Sequence, residues 1–154
     1  MTTIPQHEPV HICPGQLAVV AAPCTVTTVV GSSVAVSLYD PVGRLGGLSH
    51  YTLPCAPVHD RSLQFGDVAV TRLLAAVVQA GAEQRRLVAR VVGGACALGL
   101  PQGDAAPLGL RNVRAAMKFL FETGIPVVTM DIEGDRGRRV VFHADTGDLI
   151  VRSL

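Results

Sequence analysis

From Ile12 to Tyr39 the chain carries no charged side chain. An apolar run of that length either crosses a bilayer or disappears into a protein core, and its residues choose between the two. Pro14, Pro23 and Gly31 cut it into short pieces, and Ser and Thr recur throughout, which does not suit a continuous membrane helix. β-Branched residues dominate the pieces, so they read as buried strands over 15–22, 25–30 and 34–39. A further strand is expected over 48–53, beyond a connection marked by Asp40-Pro41 and Gly46-Gly47. That connection has the length expected between paired strands, which makes the segments around Ser33 and His50 neighbours.

The pattern then changes period. Val70, Leu73, Leu74, Val77 and Val78 fall at helical spacing and predict a helix over 66–80 with Gly81 as its C-cap. Residues 86–92 read as a strand ending in Gly93-Gly94, where absent side chains permit positive φ or close backbone approach. After a Pro- and Gly-rich loop, Leu110, Val113, Met117, Leu120 and Phe121 form a second amphipathic face, closed by Gly124 and Pro126. Strands follow over 126–132, 138–143 and 148–154, joined by EGDRG and ADTG turns. The expected fold is α+β, a single domain over 1–154 of mixed, sandwich-like sheets flanked by two main helices, with 1–14 a less ordered segment.

With 154 residues the chain can bury a sizeable core without disulfide or metal. Its composition, 49% hydrophobic and 16% charged with net charge +1, excludes disorder and gives no electrostatic reason for nucleic-acid binding. The N-terminal MTTIPQHEPVH lacks the basic and apolar regions of a signal peptide, so a cytoplasmic location without membrane insertion is expected. Cys13, Cys24, Cys55 and Cys96 form neither a C-x-x-C pair nor a disulfide framework. His7, His11, His59 and His143 lack paired ligand spacing, so no metal is expected. Asp145-Thr146-Gly147 has the letters of an aspartic protease motif but reads as a hairpin turn. Arg136, Arg138 and Arg139 form a basic cluster, read either as a solvated edge or as a surface for an acidic partner.

Gly31-Ser32-Ser33 is the candidate for chemistry. A tight turn of small residues at the end of a strand can hold a nucleophile beside backbone N–H groups that stabilise an oxyanion, although such turns are more often punctuation. His50 by itself is a strand histidine satisfied by its neighbours, and Thr27 a strand threonine.

The wider segment VVGSSVAVSLYDPVGRLGGLSHYTLP resembles the chemoreceptor glutamine deamidase family, CheD, whose hallmark reads L-G-S-C-V-A-V-x-L-Y-D followed by G-G-x-x-H-x-x-L-P. The likeness continues through FGDVAVTRLLAAVVQAGAEQRRLVARVVGGA and LGLRNVRAAMKFL to GIPVVTMDIEGDRGRRVVFHADTGDLIV, the last resembling the family's C-terminal hairpin. It spans about residues 16–152, as several ordered motifs at matching spacing.

The resemblance implies hydrolysis of a glutamine side-chain amide on a chemoreceptor to glutamate, with release of ammonia and without a cofactor. It places the family's catalytic cysteine at Ser33, its histidine at His50 as base and then acid, and its threonine at Thr27, which would hold the imidazole in the right tautomer. Backbone N–H groups near Ser32 and Ser33 would bind the oxyanion. The implied partners are chemoreceptor cytoplasmic domains and a CheC-type phosphatase. The sequence departs from the family pattern where Ser33 replaces the cysteine, where Ser49 stands for an Asn and where Leu110 stands for a Glu. An alcohol holds its proton far more tightly than a thiol, so the first departure implies weakened or lost turnover and leaves a chemotaxis binding module as the alternative.

Overall fold

The computed structural model describes residues 8–96 and 106–154. Two mixed sheets and two helices stack in three layers. The outer sheet holds β1 (Val10–His11), β3 (Thr25–Val30), β8 (Arg138–His143) and β9 (Leu149–Ser153), in the order β1-β3-β8-β9. The central sheet holds β2 (Gln16–Ala21), β4 (Val34–Asp40), β5 (Leu45–Tyr51), β6 (Val88–Gly93) and β7 (Val127–Ile132), in the order β2-β5-β4-β6-β7. Helices α1 (Gly66–Gln79) and α2 (Leu108–Thr123) cover the free face of the central sheet.

The alternation of side chains along β4 explains the layering. Val34, Val36 and Leu38 point to the helices, where they meet Val70, Leu73 and Val77 of α1 and Val113, Ala116 and Leu120 of α2. Ala35 and Tyr39 point the other way, against Val26, Val30, Val140 and Phe142 of the outer sheet. A strand covered on both faces has no solvent side on which to place a charge, which is why Val34 to Tyr39 is uncharged and apolar except for Ser37. Each fully buried Val or Leu contributes roughly 1.5–3 kcal/mol, so these two cores dominate the stability.

The α+β expectation with two main helices holds, both helices lying on one face of the central sheet. Gly124 closes α2 in the left-handed conformation at φ 72°, as its position suggested. Four local expectations are corrected. Gly46 and Gly47 do not break the chain: they lie inside β5, which pairs with β2 on one side and β4 on the other. A Cβ on Gly46 would stand 2.3 Å from the Leu38 carbonyl oxygen and one on Gly47 2.6 Å from that of Ala18, so glycine is required here by crowding. Arg86 is not a strand residue but ends a 3-10 turn at Gln84–Arg86. The EGDRG segment does not make a hairpin, because β7 lies parallel to β6 in the central sheet whereas β8 pairs with β3 and β9 in the outer one. Finally, β1 falls within the stretch expected to be less ordered, and the following Ile12 is buried. The Pro- and Gly-rich loop lies mostly outside the described residues.

Candidate active site

The Gly31-Ser32-Ser33 turn joins β3 to β4, so it is where the chain leaves the outer sheet for the central one. The end of β6 holds the turn by its backbone: Ala95 N–H donates to the Gly31 carbonyl and Gly94 N–H to the Ser33 carbonyl, each at 2.9 Å. Gly93, at φ 120°, lies so close that a Cβ there would sit 2.3 Å from the Ser33 carbonyl oxygen. Close approach and positive φ, both anticipated at Gly93-Gly94, thus serve to fix this turn.

The register brings His50 alongside, directly opposite Ala35 of β4. Leu48 of β5 faces the outer sheet, and His50, two residues on, shares that face. Its Nε2 lies 2.9 Å from Ser33 Oγ and its Nδ1 lies 2.8 Å from Thr28 Oγ1. The imidazole is buried while Ser33 is only half-buried, so the chain of hydrogen bonds runs from the interior toward an accessible hydroxyl.

The protons in this chain can be assigned. Thr28 Oγ1 also lies 2.9 Å from the carbonyl oxygen of Ile12, which can only accept. The single hydroxyl proton of Thr28 therefore goes to Ile12, leaving Thr28 oxygen to accept from His50 Nδ1–H. Nε2 is then the bare nitrogen, and Ser33 Oγ–H donates to it. Burial, with a smaller contribution from nearby His11, pushes the imidazole down to about 4, so it is neutral at pH 7.

Thr27 does not hold the imidazole, which corrects the expectation. Neighbouring strand residues face opposite ways, and in β3 Val26, Thr28 and Val30 point inward while Thr27 points outward. There the Thr27 hydroxyl meets His11 Nδ1 at 2.9 Å. The sequence held a faint signal: two valines share the parity of Thr28 and only Val29 that of Thr27, so Thr28 was on the more apolar face.

A second residue missed from sequence is Asn112 of α2. Buried, it donates from Nδ2 to the carbonyls of Ser32 at 3.0 Å and Thr52 at 2.9 Å, one residue before Ser33 and two after His50. The backbone carbonyl of Asn112 accepts the Tyr51 hydroxyl. Ser49, one of the departures from the family pattern, faces away from Ser33 on the helix side of β5. The basic cluster separates: Arg138 turns inward and pairs with Asp131 at 2.9 Å, whereas Arg139 is exposed beside Arg152 on the outer sheet. All four cysteines are free, Cys13 and Cys55 being exposed. Among the described residues no cluster of metal-ligating side chains occurs and no helix is long and apolar enough to cross a membrane.

A hydroxyl donating to a bare imidazole nitrogen, with the opposite nitrogen anchored, is the nucleophile–base–orienter arrangement that hydrolases use for acyl transfer. Residues 53–153 match the family model for CheD chemotactic sensory transduction. The chain is similar to the probable chemoreceptor glutamine deamidase CheD 1 of Anaeromyxobacter dehalogenans, at 48% identity over 94% of this chain and 84% of that protein. It is also similar to the probable chemoreceptor glutamine deamidases CheD of Rhodospirillum rubrum, at 39% identity over 93% and 81% of the two chains, and of Moorella thermoacetica, at 37% over 97% and 92%. The chain belongs to the CheD family.

Proposed function

We propose that this chain hydrolyses the side-chain amide of glutamine residues on chemoreceptor cytoplasmic domains, giving glutamate and ammonia, with Ser33 as nucleophile, His50 as general base and acid, and Thr28 as orienter. The observation that carries this reading is the unbroken hydrogen-bonded chain from Ser33 Oγ through both nitrogens of His50 to Thr28 and the Ile12 carbonyl. The names of the relatives support the substrate.

In the first half-reaction His50 Nε2 takes the Ser33 proton as Oγ attacks the amide carbon, and the carbonyl π pair moves to oxygen. The tetrahedral adduct collapses with transfer of that proton from His50 to the leaving nitrogen, releasing ammonia and leaving an ester on Ser33. Water then attacks the ester, giving its proton to His50, and collapse returns that proton to Ser33 Oγ as glutamate departs. No cofactor enters any step.

Three features make turnover slow in the native chain. The nucleophile is an alcohol, the base is weakened by burial, and the orienter is a neutral hydroxyl that cannot offset imidazolium charge as a carboxylate would. Restoring sulfur at residue 33 removes the first obstacle, because a thiol ionises near neutral pH.

The test is to incubate the native chain and Ser33→Cys with a purified chemoreceptor cytoplasmic domain, following ammonia release and the mass gain of about one dalton at each converted glutamine. Slow conversion by the native chain and conversion faster by roughly 100-fold or more in Ser33→Cys are expected. Conversion by neither, with binding to the receptor or to a CheC-type phosphatase retained, would overturn the enzymatic reading in favour of a binding module.

A further inference from the structure

Asn112 is wholly buried, and its amide reaches the two backbone segments that carry the site. Both of its side-chain partners are carbonyls, so only the NH₂ end can face them, which settles the orientation of the amide. Asn112 Oδ1 is buried and has no partner among the described residues. An acceptor without a protein partner costs stability that an apolar side chain of the same size would not. What the amide adds in exchange is its pair of donors, one on each segment.

The donor on Ser32 has a consequence for its neighbour. A trans peptide is planar, with its carbonyl and the following N–H pointing to opposite sides. Anchoring the Ser32 carbonyl toward α2 therefore directs the Ser33 N–H away from the helix layer, to the side on which Ser33 Oγ meets His50. The Ser33 N–H donates to no described residue, while the Ser33 carbonyl is tied to Gly94 N–H at 2.9 Å. The backbone of residue 33 is thus held from both ends with its N–H unspent beside its own reactive oxygen. An oxyanion generated by attack of that oxygen forms next to that N–H.

Resting on the hydrolase reading above, we propose that Asn112 is a positioning residue: by holding the Ser32 carbonyl it aims the Ser33 N–H as the oxyanion donor of the site. The second donor, on Thr52, keeps the segment after His50 in register with the turn.

Two reactions of the Ser33→Cys protein separate this role from mere support of the fold. Acylation by p-nitrophenyl acetate passes through a carbonyl-derived oxyanion, whereas alkylation by iodoacetamide displaces iodide from a saturated carbon and makes none. Asn112→Leu and Asn112→Asp, similar in size and lacking the NH₂ donors, are placed in the Ser33→Cys background. Acylation is expected to fall about 100-fold, as for loss of an oxyanion donor, with the alkylation rate and its pH profile changed less than about 2-fold.

A parallel fall in both reactions, or a fall in neither, overturns the proposal. Should both variants lose cooperative melting, Ser33→Cys with Asn112 intact decides. Addition of a small aldehyde to the thiol gives a hemithioacetal whose oxygen occupies the oxyanion position, and the amide proton of residue 33 is expected to shift downfield. An unmoved resonance overturns the proposal. Neither probe needs a receptor, so failure of the deamidase reading shows as an inert receptor with the acylation effect intact, and failure of the positioning as receptor conversion without it.

Discussion

The hairpin of β4 and β5 carries a buried polar group at each end, and the two ends solve the problem of burial in opposite ways. At the turn end Asp40 keeps its charge. Arg86 grips it with Nε at 2.9 Å and Nη2 at 2.8 Å, and backbone N–H groups of Val42, Gly43 and Glu83 add three more donors at 3.0–3.1 Å. The guanidinium and these amides hold the Asp40 carboxyl well below the usual carboxylate range despite its burial. At the site end His50 is buried with no counter-charge among the described residues, and it stays neutral. A saturated charge is chemically idle. A neutral imidazole with one nitrogen anchored and the other bare remains able to take a proton, so the difference separates a structural knot from a group that can serve as a base.

Removing the reactive group should have the largest effect. His50→Gln in a Ser33→Cys protein is expected to lower the deamidation rate by about 1,000-fold through loss of the general base, read by ammonia release. Asp40→Ala tests the opposite end: it strands Arg86 and three backbone donors and is expected to cost about 3 kcal/mol of stability, measured by urea denaturation. Loss of base catalysis in Asp40→Ala, refolded at low temperature, as complete as in His50→Gln would show that the two ends do not have separate roles.

Smaller effects sharpen it. Thr28→Val removes one hydrogen bond to the imidazole and should slow Ser33→Cys roughly 10-fold, whereas Thr27→Val on the outward face should change the rate less than about 2-fold. Reversal of those two results would restore Thr27 as the orienter. Mildest, and visible without substitution, is the response to acid. His50 sits below its ordinary value of 6.5, so the unfolded chain binds more protons and stability falls as pH drops from about 6.5 toward about 4. Asp40 is also depressed, and its contribution, complete above the ordinary carboxylate range, is lost only below it. Thermal melts should show the melting temperature already falling between about pH 6.5 and pH 4, before the Asp40 contribution is lost.

What could be read from sequence follows the range of the forces involved. The strands and helices are written in local periodicity, and the meeting of Ser33 with His50 was anticipated because the ordered motifs resemble a family in which those two positions act together. Thr28 was missed because Thr27 and Thr28 are chemically identical, and only the parity of β3 against the central sheet tells them apart. Gly46-Gly47 looked like a break because crowding inside a sheet and freedom in a turn select the same residue. Arg86 looked like the start of a strand because its partner, Asp40, is far away in sequence. Asn112 sits in an amphipathic helix, and nothing local reveals that its amide reaches the carbonyls of Ser32 and Thr52. The crossing from β7 to β8 was hidden for a related reason: a short polar turn looks alike whether it joins strands of one sheet or of two.

The protonation of His50 is the most direct point of attack. Long-range proton–nitrogen NMR of the native chain, with its histidines labelled, reads which ring nitrogen carries hydrogen. The expected spectrum has Nδ1 protonated and Nε2 bare at pH 7, unchanged until the pH nears about 4. Hydrogen on Nε2, or titration at the ordinary 6.5, would contradict the assignment of His50 as a neutral base facing Ser33.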